Sequence, residues 1–284
     1  MDIEEFVLLA PFSTLNLGGK ARFFTRIRSV KEALEAVDFA RSSKIPYMVL
    51  GKGSNCLFDD RGYNGLVILN KIDFCEIEGN LVRAGAGTSF PYLGLKTVKQ
   101  GLSGLEFASG IPASVGGAVC MNAGALGQST WDVIKEVTFL EDGKIKTQSK
   151  DCFSYGYRKT EFQGAKRVIL STTFCLEKLV NAKSKQKEML SYRTNTQPYG
   201  EKSAGCIFKN GKDYSAGALI DQCGLKGETV GSAEVSKIHG NFIVANAGCT
   251  SKDIRKLIEV IKTKVKEEKG IELKTEVRVI PYES

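Results

Sequence analysis

Histidine is nearly absent: the 284 residues include one, His239. A multi-histidine metal site is therefore excluded, and a Ser-His-Asp hydrolase would have to use that single ring. The eight cysteines, Cys56, Cys75, Cys120, Cys152, Cys175, Cys206, Cys223 and Cys249, contain no C-x-x-C pair. Zinc-ribbon and dithiol redox motifs are thus missing, and no metal is expected. No apolar run approaches the roughly 18 residues of a membrane span. The N-terminus, Met1-Asp2-Ile3-Glu4-Glu5, is acidic where a signal peptide needs positive charge. These absences predict a cytoplasmic protein with free thiols and no membrane partner. One tryptophan and no basic stripe interleaved with aromatics argue against nucleic acid as a partner.

What is present fits a globular chain of roughly two domains. Apolar residues make up 42% and charged residues 25%, which gives a normal core and surface. Forty Lys and Arg against 32 Asp and Glu leave a net charge of +8. Much of that excess lies between Ser251 and Gly270, where Lys252, Arg255, Lys256, Lys262, Lys264, Lys266 and Lys269 alternate with Ile254, Leu257, Ile258, Ile261 and Val265. The spacing predicts the solvated face of a core-packed helix, with a modest field that favours small anions.

Ser29 and Glu32 form a capping-box pattern that opens a helix over 30–42. Strands are predicted over 46–50, ending at Gly51, and over 65–69. Another strand over 81–86 leads to a helix capped by Thr88 and ending near Gly101. Asp142-Gly143 predicts a hairpin turn between 133–140 and 144–148, and 167–176 is rich in β-formers. A polar stretch with four lysines follows over 178–187, which predicts a domain boundary near 179–184. Beyond it, helices are expected near 184–193, 214–223 and 252–268, with strands over 242–245 and 273–280.

Two glycine loops carry the first chemical signal. Gly51-Lys52-Gly53-Ser54-Asn55 follows a strand directly, so its backbone N–H groups can ring an anion while Ser54 and Asn55 add side-chain donors. Cys56 stands where a dinucleotide fingerprint needs glycine, which argues against a Rossmann turn. Gly110-Ile111-Pro112-Ala113-Ser114-Val115-Gly116-Gly117-Ala118 offers small residues for close approach, with N–H groups of 114–117 as donors to a pyrophosphate. Gly85-Ala86-Gly87-Thr88 reads as a strand-to-helix turn. Elsewhere Tyr157 stands beside Arg158, whose guanidinium is suited to a carboxylate. Cys206 lies in the small-residue turn Ser203-Ala204-Gly205-Cys206-Ile207-Phe208-Lys209-Asn210, and Glu276 shares a strand face with Arg278 by alternation.

In this order the tracts resemble the UDP-N-acetylenolpyruvoylglucosamine reductase family. The resemblance runs from Thr14-Leu15-Asn16-Leu17-Gly18-Gly19-Lys20-Ala21 through the two loops, Tyr157-Arg158, Gln197-Pro198, the Cys206 turn, Gly224-Leu225-Lys226-Gly227 and His239-Gly240-Asn241-Phe242 to Glu276-Val277. It implies an α+β fold: a two-lobed vanillyl-alcohol-oxidase-type FAD-binding domain over 20–178, with lobes about 20–70 and 71–178, then a C-terminal α+β substrate-binding domain over 185–284. It implies noncovalent FAD held by Gly51, Lys52, Gly53, Ser54, Asn55, Ile111, Pro112, Ser114, Val115, Gly116 and Gly117. NADPH would be the hydride donor and a UDP-sugar the substrate, in peptidoglycan precursor synthesis. Arg158, Cys206 and Glu276 fall on catalytic positions, while Tyr157, Arg193, Lys209 and Asn210 are candidates for substrate contact. A monomer is expected.

The chain departs from the commoner family pattern in three ways. Cys206 replaces a serine as the implied proton donor, and Gly211 replaces a proline. The stretch between Phe174 and Arg193 is too short for the substrate-covering insertion of some members, which implies the shorter subtype. Two other readings stay open at this point: a different flavin-dependent oxidase or dehydrogenase of the same fold, and a nucleotide-binding module without catalysis.

Overall fold

The structure, a computed structural model, describes residues 1–164 and 166–283. Its residues divide into two compact units, one of Met1–Glu4, Phe24–Lys52 and Leu66–Arg193, the other of Glu5–Phe23, Gly53–Gly65 and Thr194–Ser284. Helices and strands are mixed in both, the α+β class expected.

In the first unit, helix α1 (Val30–Ser42) is capped by the Ser29 hydroxyl, which accepts from the Glu32 N–H, and it buries Ala33, Ala36, Val37 and Ala40. The strand Tyr47–Leu50 then pairs in parallel with the later part of Gly62–Asn70, Tyr47 opposite Leu66 and Leu50 opposite Leu69. A parallel pair needs a crossover, and the strand's buried run of Leu66, Val67, Ile68 and Leu69 suits a strand covered on both sides.

The same unit holds a five-stranded antiparallel sheet in the order Lys144–Ser149, Ile134–Glu141, Arg167–Cys175, Leu81–Gly85, Cys75–Glu78. The hairpin turn falls at Asp142-Gly143, both with positive φ (51° and 75°), which matches the right-handed twist of the flanking strands. Helices α2 (Phe90–Lys99), α3 (Val115–Met121) and α4 (Ala182–Thr196, within this unit to Arg193) complete it. Its core is built on Trp131, Phe90, Phe107, Phe139 and Phe174. The cap of α2 differs from expectation by one residue. Ser89 caps it, because the Thr88 hydroxyl is engaged with Asp73 Oδ1 (2.8 Å) and Phe74.

The second unit contains a four-stranded antiparallel sheet, Ser203–Cys206, Phe242–Ala245, Ala233–Val235, Thr229–Val230, packed with helices α5 (Ala216–Gln222) and α6 (Ser251–Lys269). Thr250 and Asp253 form a capping box on α6, and the Asp60 carboxylate accepts from the N–H groups of Ser251 (2.7 Å) and Lys252 (3.2 Å). The basic residues of α6 face solvent apart from half-buried Lys262, as the periodicity predicted. The expected strand over 273–280 is reduced to Arg278–Ile280, which pairs in parallel with Cys56–Phe58. Residues just before it pair elsewhere: Lys209 N–H donates to Lys274 O (2.8 Å) and Glu276 N–H to Ile207 O (2.7 Å). The segment changes partner after Glu276, so simple alternation does not set the Glu276 face.

Candidate active site

The loop after Tyr47–Leu50 passes from the first unit to the second between Lys52 and Gly53. Among the described residues, the N–H groups of Lys52, Gly53 and Ser54 donate to no other group of the protein, while Gly53 O accepts from Thr14 N–H (3.3 Å). Gly51 is fixed by a close approach: a Cβ there would lie 2.3 Å from Ser114 Oγ. The fold therefore brings the start of this loop against the second glycine tract. At the loop's other end, Asn55 Nδ2 donates to Glu276 O (3.3 Å) and Asn55 O accepts from Arg278 N–H (3.0 Å).

The second tract holds a helix that the sequence pattern read only as turns. Ser114 is the N-cap of α3, its Oγ accepting from Gly117 N–H at 3.3 Å. Val115 N–H donates to Thr88 O (2.9 Å) and Gly116 N–H to Ala86 O (2.8 Å). Three of the four N–H groups expected to face a pyrophosphate are thus already engaged inside the protein. What remains to approach a ligand is Ser114 and the small surface of half-buried Gly116 and Gly117, after half-buried Ile111 and exposed Pro112.

Tyr157 and Arg158 form the tip of a hairpin whose arms are Tyr155–Gly156 and Lys159–Thr160. Arg158 has φ 54°, a left-handed conformation that costs a side-chain-bearing residue about 1–2 kcal/mol. Its guanidinium donates from Nη1 to Asn122 O (3.2 Å) and from Nη2 to Gly124 O (2.6 Å), and lies 5.0 Å from the Tyr157 ring centre. Asn122, 4% exposed and also left-handed at φ 43°, ties this seat together. Its Nδ2 donates to Gly156 O (2.9 Å) and its Oδ1 accepts from Trp131 N–H (3.1 Å). Arg193 lies elsewhere in the unit, its side-chain stem so near Gly110 that a Cβ there would meet Arg193 Cδ at 2.6 Å.

Cys206 and Glu276 both belong to the second unit and are linked through Ile207, whose carbonyl accepts the Glu276 N–H. Lys209 is half-buried and Asn210 exposed; Asn210 Oδ1 accepts from Ala216 N–H (2.9 Å) at the start of α5. At Gly211 the N–H donates to Tyr214 O (3.1 Å), and the Tyr214 ring stands 2.1 Å from where a Cβ would be. A proline there would lose the bond and strike the ring, so the glycine is matched to this turn. Burial holds the His239 imidazole below its usual range, and its Nδ1 accepts from Asn241 N–H (3.1 Å). Among the described residues no cluster of three or more His, Cys, Asp or Glu side chains is placed to hold a metal, and no helix is long and apolar enough to cross a membrane.

Asn122 and Asn241 carry much of this geometry, and the sequence pattern assigned a role to neither. The available signals were, for Asn122, an asparagine directly before Ala123-Gly124, since asparagine tolerates left-handed backbone, and, for Asn241, its place in the tract His239-Gly240-Asn241-Phe242.

Residues 21–149 match the family described as an FAD binding domain, and residues 197–280 match the C-terminal domain of UDP-N-acetylenolpyruvoylglucosamine reductase. The UDP-N-acetylenolpyruvoylglucosamine reductase of Protochlamydia amoebophila (strain UWE25) is 46% identical over 278 residues, 97% of this chain and 93% of its own. The chain belongs to the UDP-N-acetylenolpyruvoylglucosamine reductase family. The reductase of Chlamydia abortus (strain DSM 27085 / S26/3) is 42% identical over 283 residues, 99% of this chain and 95% of its own. The crystal structure of UDP-N-acetylenolpyruvylglucosamine reductase from Thermus caldophilus superposes with a TM-score of 0.85 at 36% identity, covering 99% of this chain and all of that one (100%).

The residues on hand suit the cofactor that an FAD-binding domain implies. In the first unit, the Lys52 N–H, which donates to no other group among the described residues, follows Gly51, whose backbone closely approaches the Ser114 hydroxyl; donors of this kind suit a diphosphate. A net charge of +8 favours the anion.

Proposed function

We infer that the protein is an FAD-dependent enzyme that uses NADPH to reduce UDP-N-acetylenolpyruvoylglucosamine to UDP-N-acetylmuramate, in the synthesis of peptidoglycan precursors. The observation that carries this reading is 46% identity sustained over 97% of the chain. Overall, NADPH gives a hydride and one proton is taken up, so that a C=C bond becomes a CH–CH unit. FAD, when bound, supplies the two-electron carrier that lets the two substrates react in separate half-reactions.

The rest of the chemistry falls to side chains of this chain. Hydride addition at C3 of the enolpyruvyl group leaves enolate-like charge on C2 and the carboxylate. Arg158, oriented by the carbonyls of Asn122 and Gly124, holds that carboxylate as charge develops on it. Glu276, in its protonated form, donates a further hydrogen bond to the carboxylate. Cys206 passes its thiol proton to C2 and regains one from solvent. A thiol has a reference pKa of about 8.5, which makes it a better acid than the serine it replaces. Lys52, Gly53, Ser54, Asn55 and Ser114 hold the FAD diphosphate, with Gly51, Ile111, Pro112, Val115, Gly116 and Gly117 allowing its close approach. Tyr157, Arg193, Lys209 and Asn210 meet the UDP-sugar. The same reading makes the protein a cytoplasmic monomer with small-molecule partners and gives nucleic acid no part.

The test is an anaerobic cycle on the FAD-loaded protein. NADPH bleaches the flavin absorbance, and the UDP-enolpyruvyl sugar restores it while gaining two hydrogens by mass. Restoration by oxygen with no response to the UDP-sugar would contradict the reading and favour another flavin oxidase.

A further inference from the structure

The strand carrying Cys206 is not a regular ladder. Ser203 pairs with Val244 and Cys206 with Phe242, so three steps on one strand match two on the other. The extra residue is a bulge, with Gly205 at φ 72°. A one-residue slip reverses which face a side chain takes, so the ladder upstream of the bulge does not by itself aim Cys206.

The backbone directly after Cys206 is instead fixed by one residue. Asn241, 2% exposed, accepts the Ile207 N–H on its main-chain oxygen (2.9 Å). Its side chain then closes a two-point clamp on Phe208: Oδ1 accepts the Phe208 N–H (2.9 Å) and Nδ2 donates to the Phe208 carbonyl (2.8 Å). A planar amide offers one acceptor and one donor side by side, matching the N–H and C=O that a single extended residue presents to one side; a carboxylate offers only acceptors and an alanine offers neither. The clamped segment also carries Glu276, because Ile207 O accepts the Glu276 N–H (2.7 Å) and Phe208 bridges to Thr275.

We propose that Asn241 is the positioning residue for protonation: through the backbone of 207 and 208 it fixes where the Cys206 thiol and the Glu276 carboxyl stand relative to each other. The inference rests on the reading of Cys206 as the proton donor to C2. Its chemistry touches only the half-reaction with the UDP-sugar. Hydride transfer from NADPH needs neither the thiol nor the carboxyl.

The experiment uses the FAD-loaded enzyme carrying Asn241→Ala, Asn241→Asp or Cys206→Ala, with both half-reactions followed separately. Asn241→Ala is expected to keep the wild-type rate of flavin reduction by NADPH and to slow reoxidation by the UDP-enolpyruvyl sugar by about 10–100-fold, the usual effect of losing a residue that orients a reacting group. Alkylation of Cys206 by iodoacetamide, read by peptide mass spectrometry, is expected to change in rate while exposed Cys152 reacts as before. Asn241→Asp supplies a near-isosteric second variant should the alanine protein not fold. Protonated aspartic acid restores the donor and acceptor pair, so its reoxidation rate should fall as pH rises through the carboxylate range, below the thiol range of Cys206, and that lower fall should be absent from the alanine variant. Wild-type reoxidation and unchanged Cys206 alkylation in Asn241→Ala would overturn the proposal, as would equal slowing of both half-reactions, the mark of a general structural defect. If Cys206→Ala reoxidises at the wild-type rate, the reading of Cys206 as donor fails. If Cys206→Ala is slow while Asn241→Ala is not, only the role of Asn241 fails.

Discussion

Arg158 is held by its side chain, and Cys206 by the backbone that follows it. The guanidinium donates to the carbonyls of Asn122 and Gly124 from a hairpin tip whose own backbone is left-handed. The thiol follows a bulge, and the next two residues are bonded to Asn241 on one side and to the Glu276 segment on the other. Carbonyl oxygens set the plane and direction of a guanidinium, which suits a group that must meet a carboxylate in a fixed geometry. A proton donor must reach a single carbon within hydrogen-bond distance, and a backbone clamp gives that tighter tolerance. The two seats share one device, a buried asparagine whose amide serves backbone groups from distant parts of the chain.

That comparison breaks most sharply at the asparagines. Next to the large, half-reaction-specific loss expected for Asn241→Ala, Asn122→Ala should act more mildly. It leaves Trp131 N–H and Gly156 O without their partner, a stability loss of about 2 kcal/mol, visible as a lowered melting temperature. Because Arg158 keeps its charge and hairpin, the apparent KM for the UDP-sugar should rise about tenfold with kcat little changed, the pattern of a contact weakened equally in the ground and transition states. A variant in which kcat falls and KM does not would show that the Arg158 seat is as exacting as that of Cys206.

The smallest effect concerns pH, and it treats the two units alike. In the first unit Lys146 and Arg167 hold the Glu141 carboxyl below its usual range, and the Ser154 N–H and Arg167 do so for Glu161. In the second, Arg61 lowers Asp59, and Thr250 lowers Asp253. Each group has a folded-state pKa below its unfolded value. Its contribution is therefore present above the unfolded pKa and lost as pH falls through the folded one. The melting temperature should hold near neutrality and decline below about pH 4, the ordinary carboxylate range. A melting temperature unchanged from pH 6 to pH 3 would contradict this.

Periodicity made much of the fold legible. Helices α1 and α6, the Asp142-Gly143 hairpin and the strand Phe242–Ala245 lie where local patterns put them, because each is decided by neighbours a few residues away. The site was legible as residue types in order, through the resemblance to the reductases. Its geometry was not. The clamp of Asn241 on Phe208 joins residues 33 apart and the tie of Asn55 to Glu276 joins residues 221 apart, and no window of sequence contains either. The same holds for α3. Its glycines resemble a turn, and what makes it a helix is the cap on Ser114 together with the docking of Val115 and Gly116 on Thr88 and Ala86.

The central claim, that Cys206 donates the proton that completes reduction, meets its most direct test in a single turnover of the Cys206→Ala enzyme. Flavin in that variant should bleach with NADPH at the wild-type rate and then remain bleached when the UDP-enolpyruvyl sugar is added under anaerobic conditions, with return of absorbance slowed by at least about 100-fold, the scale of lost general acid catalysis. Return of the absorbance at the wild-type rate, with product formed, would contradict it.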